Sequence, residues 1–451
     1  MLRIGTAALL LLVLGTPPSA ADESRVLALA QSYADAAVRE TYWPGFAPIE
    51  IPLAIHDGTH TYLFRHPSPP EEFAPLPDSD PPAHRMTGRH PTVIANSTAT
   101  IGDVTCATLN YDAAMQARPL DAVTSTAIHE AFHVYQRREH PDWMGNDGDL
   151  FIYPVEDPRL LTLRRLETEY LRRACAATDE EEAAANTRLA LDARTQRFAA
   201  MDDAFPAYEH GTELNEGLAT YVQARVMGQT HPDLPPDGYA AEDVRLRCYQ
   251  TGLSIALLLD RFQPGWREEL EKKDDTHLED ILAQSLGAVE AEAPRITAQE
   301  LVELKQAATN ETSNLQELWK QRRIDYLNRP GWQLIIETPP DAPLWPAGFD
   351  PWNIQRTDAG ILHTRFLRLS NEHGQLELMN GTALTESAGG HPLFNGVIRI
   401  VLTGLDTEPE LSTDGSRIIV TTPIFTAEFN VREVESHKKC VIIHVPGSTG
   451  G

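Results

Sequence analysis

The chain has 451 residues, a net charge of −27 and a hydrophobic fraction of 42%, more than one ordinary core, which predicts two or three domains. So acidic a balance argues against general affinity for nucleic acid or anionic membrane surfaces. Four cysteines (Cys106, Cys175, Cys248, Cys440), none at CxxC spacing, argue against a disulfide framework or a cysteine-ligated zinc site.

Residues 1–21 read as a secretory signal: Arg3, an apolar run from Ala7 to Leu14, then Ser19-Ala20-Ala21 before Asp22. The run is short for a bilayer span. A secreted or periplasmic protein is expected, with no stable membrane insertion after cleavage. Apolar residues at helical spacing follow from Glu23 to about Tyr42 and stop at Trp43-Pro44-Gly45. Ile49–Ile55 and Thr61–Phe64, separated by Asp57-Gly58, predict a hairpin. Seven prolines between Pro67 and Pro82 predict a long loop without regular structure. Strands are expected at Thr92–Ala95, Thr98–Ile101 and Val104–Leu109. A sheet there would suit an extended peptide, which pairs with an edge strand.

A helix from about Asp121, a candidate N-cap, to Glu139 carries His129-Glu130-Ala131-Phe132-His133. Residues four apart lie on one helical face, so His129 and His133 offer two imidazoles to one metal ion, with Glu130 beside it as general base. Asp121 and Glu130 are the only charged residues from Leu120 to Gln136, so this helix is one that could be buried. Met144–Pro154 reads as loop, and Asp147-Gly148-Asp149 as a turn. Leu160–Ala176 and Glu180–Met201 read as two helices whose alternating charges, Glu167 and Glu169 among them, suggest solvated faces.

The next helix contains Glu213-Leu214-Asn215-Glu216-Gly217-Leu218-Ala219-Thr220-Tyr221, with Gly228 as C-cap. Catalytic zinc takes three protein ligands and keeps one position open. Glu216, at the margin of the apolar face, is the expected third ligand, and Glu213 one turn away could orient a histidine. Cys248–Asp260 is a further apolar helix, containing Tyr249 and Gly252. Trp266 opens another helix, capping boxes at Thr276–Glu279 and Thr297–Glu300 open two more, and Leu315–Leu327 forms a last one.

HEAFH, then NEGLATY, then Tyr249-Gln250-Thr251-Gly252 resembles the gluzincin metallopeptidases, in particular the aminopeptidase N type with its HExxH, NEGxA[ST]Y and YxxG motifs in that order. The resemblance covers roughly residues 121–287. It implies a zincin-like catalytic domain with Zn2+ on His129, His133 and Glu216, and Tyr249 as donor to the oxyanion. The sequence departs from the pattern in the long insertion between His133 and Glu216 and in lacking a GxMEN segment, so an aminopeptidase assignment is not implied. Thr220 stands where thermolysin-like enzymes have an aspartate.

Beyond Arg329-Pro330-Gly331, strand-like runs at Trp332–Glu337, Ile361–Leu369, Gln375–Leu384, Val397–Leu405, Arg417–Thr422, Phe425–Val431 and Cys440–Val445 predict a β-sandwich-like domain. Its histidines have no metal spacing. The expected class is α+β: a helix and sheet region over 22–118, a helical zinc domain over 119–328 and the β-domain over 329–451. A peptide or protein substrate is expected. Two other readings stay open: a zinc hydrolase of an ester or cell-wall amide, and a non-catalytic exported binding protein.

Overall fold

The computed structural model describes residues 23–273, 276–287, 295–414 and 417–447; the expected signal at 1–21 lies outside them. The protein is a mixed α+β chain: a small sheet, a helical region and a sheet-rich region. Among the described residues no helix is long and apolar enough to cross a membrane. In chain order the elements are α1 (Glu23–Arg39), β1 (Leu53–His56), β2 (His60–Phe64), β3 (Ala74–Leu76), β4 (Ala83–Thr87), β5 (Ser97–Ile101), β6 (Val104–Asn110), α2 (Ala113–Gln116) and α3 (Leu120–Glu139). There follow α4 (Pro158–Ala176), α5 (Glu180–Phe198), α6 (Ala204–Thr212), a π-helical turn (Glu213–Gly217), α7 (Leu218–Met227), α8 (Val244–Phe262), α9 (Trp266–Leu270), α10 (Leu278–Ser285) and α11 (Ala298–Leu327). Strands complete the chain: β7 (Trp332–Glu337), β8 (Trp345–Phe349), β9 (Ile354–Thr357), β10 (Gly360–His363), β11 (Phe366–Asn371), β12 (Gly374–Met379), β13 (Ala383–Ser387), β14 (Val397–Leu405), β15 (Glu410–Asp414), β16 (Arg417–Thr422), β17 (Phe425–Asn430), β18 (Glu433–His437) and β19 (Cys440–His444).

The described residues fold into two compact units, the first made of 23–144, 213–232, 249–273 and 276–285. Its sheet has the order β3-β4-β2-β1-β6-β5, so β3 and β5 are the edges. The hairpin forms as expected, with Leu53 opposite Phe64, but Pro48–Glu50 is a 3-10 turn rather than strand. The proline-rich segment is not wholly irregular, since Ala74–Leu76 pairs with β4. Thr92–Ala95 is not a strand.

α3 packs on α1, β5, β6 and α7, and it is buried nearly all round from Val123 to Gln136, as the uncharged sequence anticipated. Asp121 is not its N-cap; Pro119 is, and Asp121 lies in the first turn. Behind α3, Trp43 packs edge-on against Phe132, Trp143, Tyr221 and Trp266. These buried rings anchor the helix through Phe132.

The second unit comprises, of the described residues, 145–212, 233–248, 286–287, 295–414 and 417–447. α4 and α5 pack side by side, started by Asp157 and Asp179, whose carboxylates accept the first orphan N–H groups. The capping box at Thr297–Glu300 forms and opens one continuous helix to Leu327. Two sheets of order β18-β19-β7-β14-β13-β10-β9 and β15-β16-β17-β12-β11-β8 share one apolar core, in which Leu334, Ile336 and Ile400 meet Leu367, Leu376 and Phe429.

One expectation fails here. The faces of α4 and α5 are not all solvated: Glu167 is 1% exposed and receives Arg194, Arg197 and Arg247. Glu209 is fully buried on Arg197 and Arg247. Burial raises the proton affinity of both carboxyls, but the guanidiniums outweigh it and hold both far below the usual range. Glu169 sits on Arg172 and Arg173.

Candidate metal centre

α3 and the π-helical turn bring together two histidines and a glutamate far from them in sequence. His129 and His133 are one turn apart on α3, and Glu216 enters from the turn; all three are buried, with one potential ligand atom of each within 4.8 Å of the others. His129 Nε2 and His133 Nε2 are 3.1 Å apart. Glu216 Oε2 lies 3.2 Å from His133 Nε2 and 3.5 Å from His129 Nε2. A regular tetrahedron with edges that long has its centre roughly 2.0 Å from each corner, the length of a zinc–nitrogen or zinc–oxygen bond.

Protonation favours the same conclusion. Gln136, 1% exposed, donates through Nε2 to the carbonyls of Leu214 and Asn215, both at 2.9 Å. Its Oε1 therefore faces His133 Nδ1 at 2.8 Å and requires that nitrogen to carry the proton. His133 Nε2 is left with its lone pair directed at the other two ligand atoms. One proton on His129 could satisfy a single one of these contacts, whereas a cation at the centre satisfies all three. The residues therefore fit a metal ion.

Gln136, which the sequence analysis did not single out, supports this cluster. Its signal was an amide three residues after His133, on the same face of the helix, closing a stretch whose only charged residues are Asp121 and Glu130. It fixes the tautomer of one ligand and, through two carbonyls, the backbone that carries another. Gln136→Ala should weaken metal binding by about 10- to 100-fold, measured by titration against a competing chelator. Unchanged affinity would reduce Gln136 to a packing role.

Glu213 was expected to orient a histidine. Its carboxylate accepts from Thr251 Oγ1 of α8, at 2.5 Å. That bond ties the π-helical turn to the helix bearing Tyr249. Gly252 lets the two approach: a Cβ there would stand 2.7 Å from Gly217 Cα and 3.1 Å from Glu213 O. Any other residue would push α8 off the turn. Tyr249, three residues earlier, is half-buried, with its ring stacked on that of His129 at 6.3 Å and 14°.

Glu130 is 7% exposed. Burial, with Glu216 adding to it against the opposing pull of His129 and Arg137, raises its carboxyl to about 7. The fold thus gathers His129, His133 and Glu216, with Glu130 next to His129 on α3 and the Tyr249 ring on that of His129. Comparison with protein-family profiles, with curated proteins and with solved structures finds no match to the chain.

Proposed function

We propose that the chain is an exported zinc metallopeptidase of the gluzincin type. The observation that carries this reading is the buried triangle of His129 Nε2, His133 Nε2 and Glu216 Oε2, with His133 held in the metal-ready tautomer by Gln136. Two imidazoles and a carboxylate are a donor set of catalytic zinc, which keeps a fourth position for water or substrate. Zinc held there would supply a Lewis acid and make water acidic enough to attack at neutral pH.

Glu130 takes the proton of the attacking water and returns it to the leaving amine. In the metal-free protein burial raises the proton affinity of this carboxyl, the direction that favours taking a proton from water. Tyr249, flanking His129, donates from its hydroxyl to the oxygen of the scissile carbonyl as charge develops there, an interaction stronger in the transition state than in the ground state. The edge strand β5, which packs against α3, offers backbone groups to an extended peptide. Export rests on the leader-like residues 1–21.

The test is metal analysis of the purified protein followed by digestion of a peptide library. We expect about one zinc per chain and hydrolysis that a chelator stops and added zinc restores. A protein that binds no metal would overturn the reading. Bound zinc with intact peptides, but cleaved esters or cell-wall amides, would move the reaction to another bond. Tyr249→Phe should lower kcat by about 10²-fold with zinc retained; an unaltered rate would leave Tyr249 a packing residue.

A further inference from the structure

The face of α3 that carries the two histidines continues one turn further, to Arg137. With His129 as zero on a helix turning about 100° per residue, Gln136 falls at about −20°, His133 at about 40°, Arg137 at about 80° and Glu130 at about 100°. Gln136 is buried, with its amide on two carbonyls of the π-helical turn. Arg137, on the other side of His133, is exposed. The face therefore closes on the Gln136 side and opens on the side of Glu130.

Arg137 stands roughly 6 Å of helix rise beyond His133, and long helical side chains lean back toward the N-terminus, here toward the metal ligands. The electrostatics agree: the surrounding protein takes part of the hydration of this guanidinium and lowers its proton affinity, while the Glu130 and Glu216 carboxylates raise it again. Its neighbour Arg138 pairs with Glu139 at 2.6 Å. Among the described residues Arg137 itself has no hydrogen bond and no ion pair. It stays charged at neutral pH, and its planar fork of N–H donors matches a carboxylate in two parallel bonds.

We propose that Arg137 determines specificity at the metal centre by binding a carboxylate of the substrate close to the scissile bond. The inference rests on the hydrolytic reading and narrows it to peptides that carry such a charge. An extended peptide advances about 3.4 Å per residue, so a group one turn of α3 from His133 is about one or two residues from the bond that is cut. The carboxylate has two sources, the free C-terminus of a peptide or the side chain of an aspartate or glutamate.

The experiment compares three forms of one short peptide on the zinc-loaded full chain: a free C-terminal acid without acidic side chains, a C-terminal amide with a glutamate near the scissile bond, and a neutral amide. We expect KM for one of the acidic forms to be about 10- to 100-fold below that of the neutral form, with a much smaller change in kcat. Preference for the first form assigns a C-terminal carboxylate, and preference for the second a side chain. Arg137→Met should erase the difference with zinc retained, and Arg137→Lys should keep part of it, because an ammonium has the charge without the fork. Equal KM for the three forms, or a preference that survives Arg137→Met, would overturn the proposal and leave Arg137 as the basic end of the helix dipole. If none is cleaved, the hydrolytic reading fails, and Kd values of the same peptides decide the carboxylate site. Tighter binding of an acidic form, lost in Arg137→Met, supports it; equal binding overturns it.

Discussion

Replacing Glu130 by glutamine is expected to lower hydrolysis by about 10²–10⁴-fold while zinc content stays at the level of the unaltered protein. The amide keeps the shape of the carboxylate, so His129 and His133 keep their places on α3. It cannot take a proton from water. Kinetics on a library-derived peptide, with metal analysis of the same sample, give the two readouts, and full activity with zinc bound would refute the base assignment.

The same variant carries a stability signature. In the metal-free protein the Glu130 carboxyl titrates at about 7 against an ordinary 4.5, chiefly because it is buried. The folded state then binds more protons than the unfolded state between those values. Stability is highest below the ordinary value, falls as pH rises through the window and stays low above about 7. Glu130→Gln removes that group's contribution. The metal-free variant should lose less stability between pH 4.5 and 7 than the metal-free parent in denaturant titrations. Parallel curves would place the Glu130 carboxyl in water.

The second large effect is expected at Glu216. Glu216→Ala removes one corner of the triangle and the only negative charge in it. Metal affinity should drop by more than the roughly 10- to 100-fold that loss of a supporting hydrogen bond costs, so the variant should be purified without metal and inactive. Zinc retained at the parental level would move the third-ligand role to another carboxylate. Because Gln136 holds both His133 and the backbone next to Glu216, Gln136→Ala and Glu216→Ala should not add: once the carboxylate is gone, less remains for Gln136 to align.

The parts of the site that follow from helical periodicity were legible in the sequence. Four-residue spacing put His129 and His133 on one face. The apolar margin around Glu216 and the order of the short motifs pointed to the later helices. What depends on backbone contact was not legible. The wide turn at Glu213–Gly217 has no sequence signature of its own, and the close approach at Gly252 shows only when both helices are in place. Charge pattern misled at Glu167, because a buried network of acids and arginines alternates in sign as a solvated face does.

The fold shows the same division. Inner strands such as β7 and β14 have long apolar runs and were found. Of the six strands that went unread, β3, β8, β9, β15 and β18 are sheet edges, β4 being the exception. Edge strands are short, half exposed and tolerant of proline, glycine and charge, as in the Trp-Pro-Ala-Gly-Phe of β8. They lack the alternation that reveals a strand.

The wide turn that presents Glu216 has a consequence for how the protein can change. Such a turn holds one residue more than a regular helix needs. Deleting a single residue between Glu213 and Gly217 would let the turn close into regular helix, with α6 and α7 keeping nearly the phase they have now. The local widening that presents Glu216, and with it the carbonyls of Leu214 and Asn215 that accept from Gln136, would be lost. The centre thus hangs on one extra residue, while the apolar pattern on either side of it is unaffected.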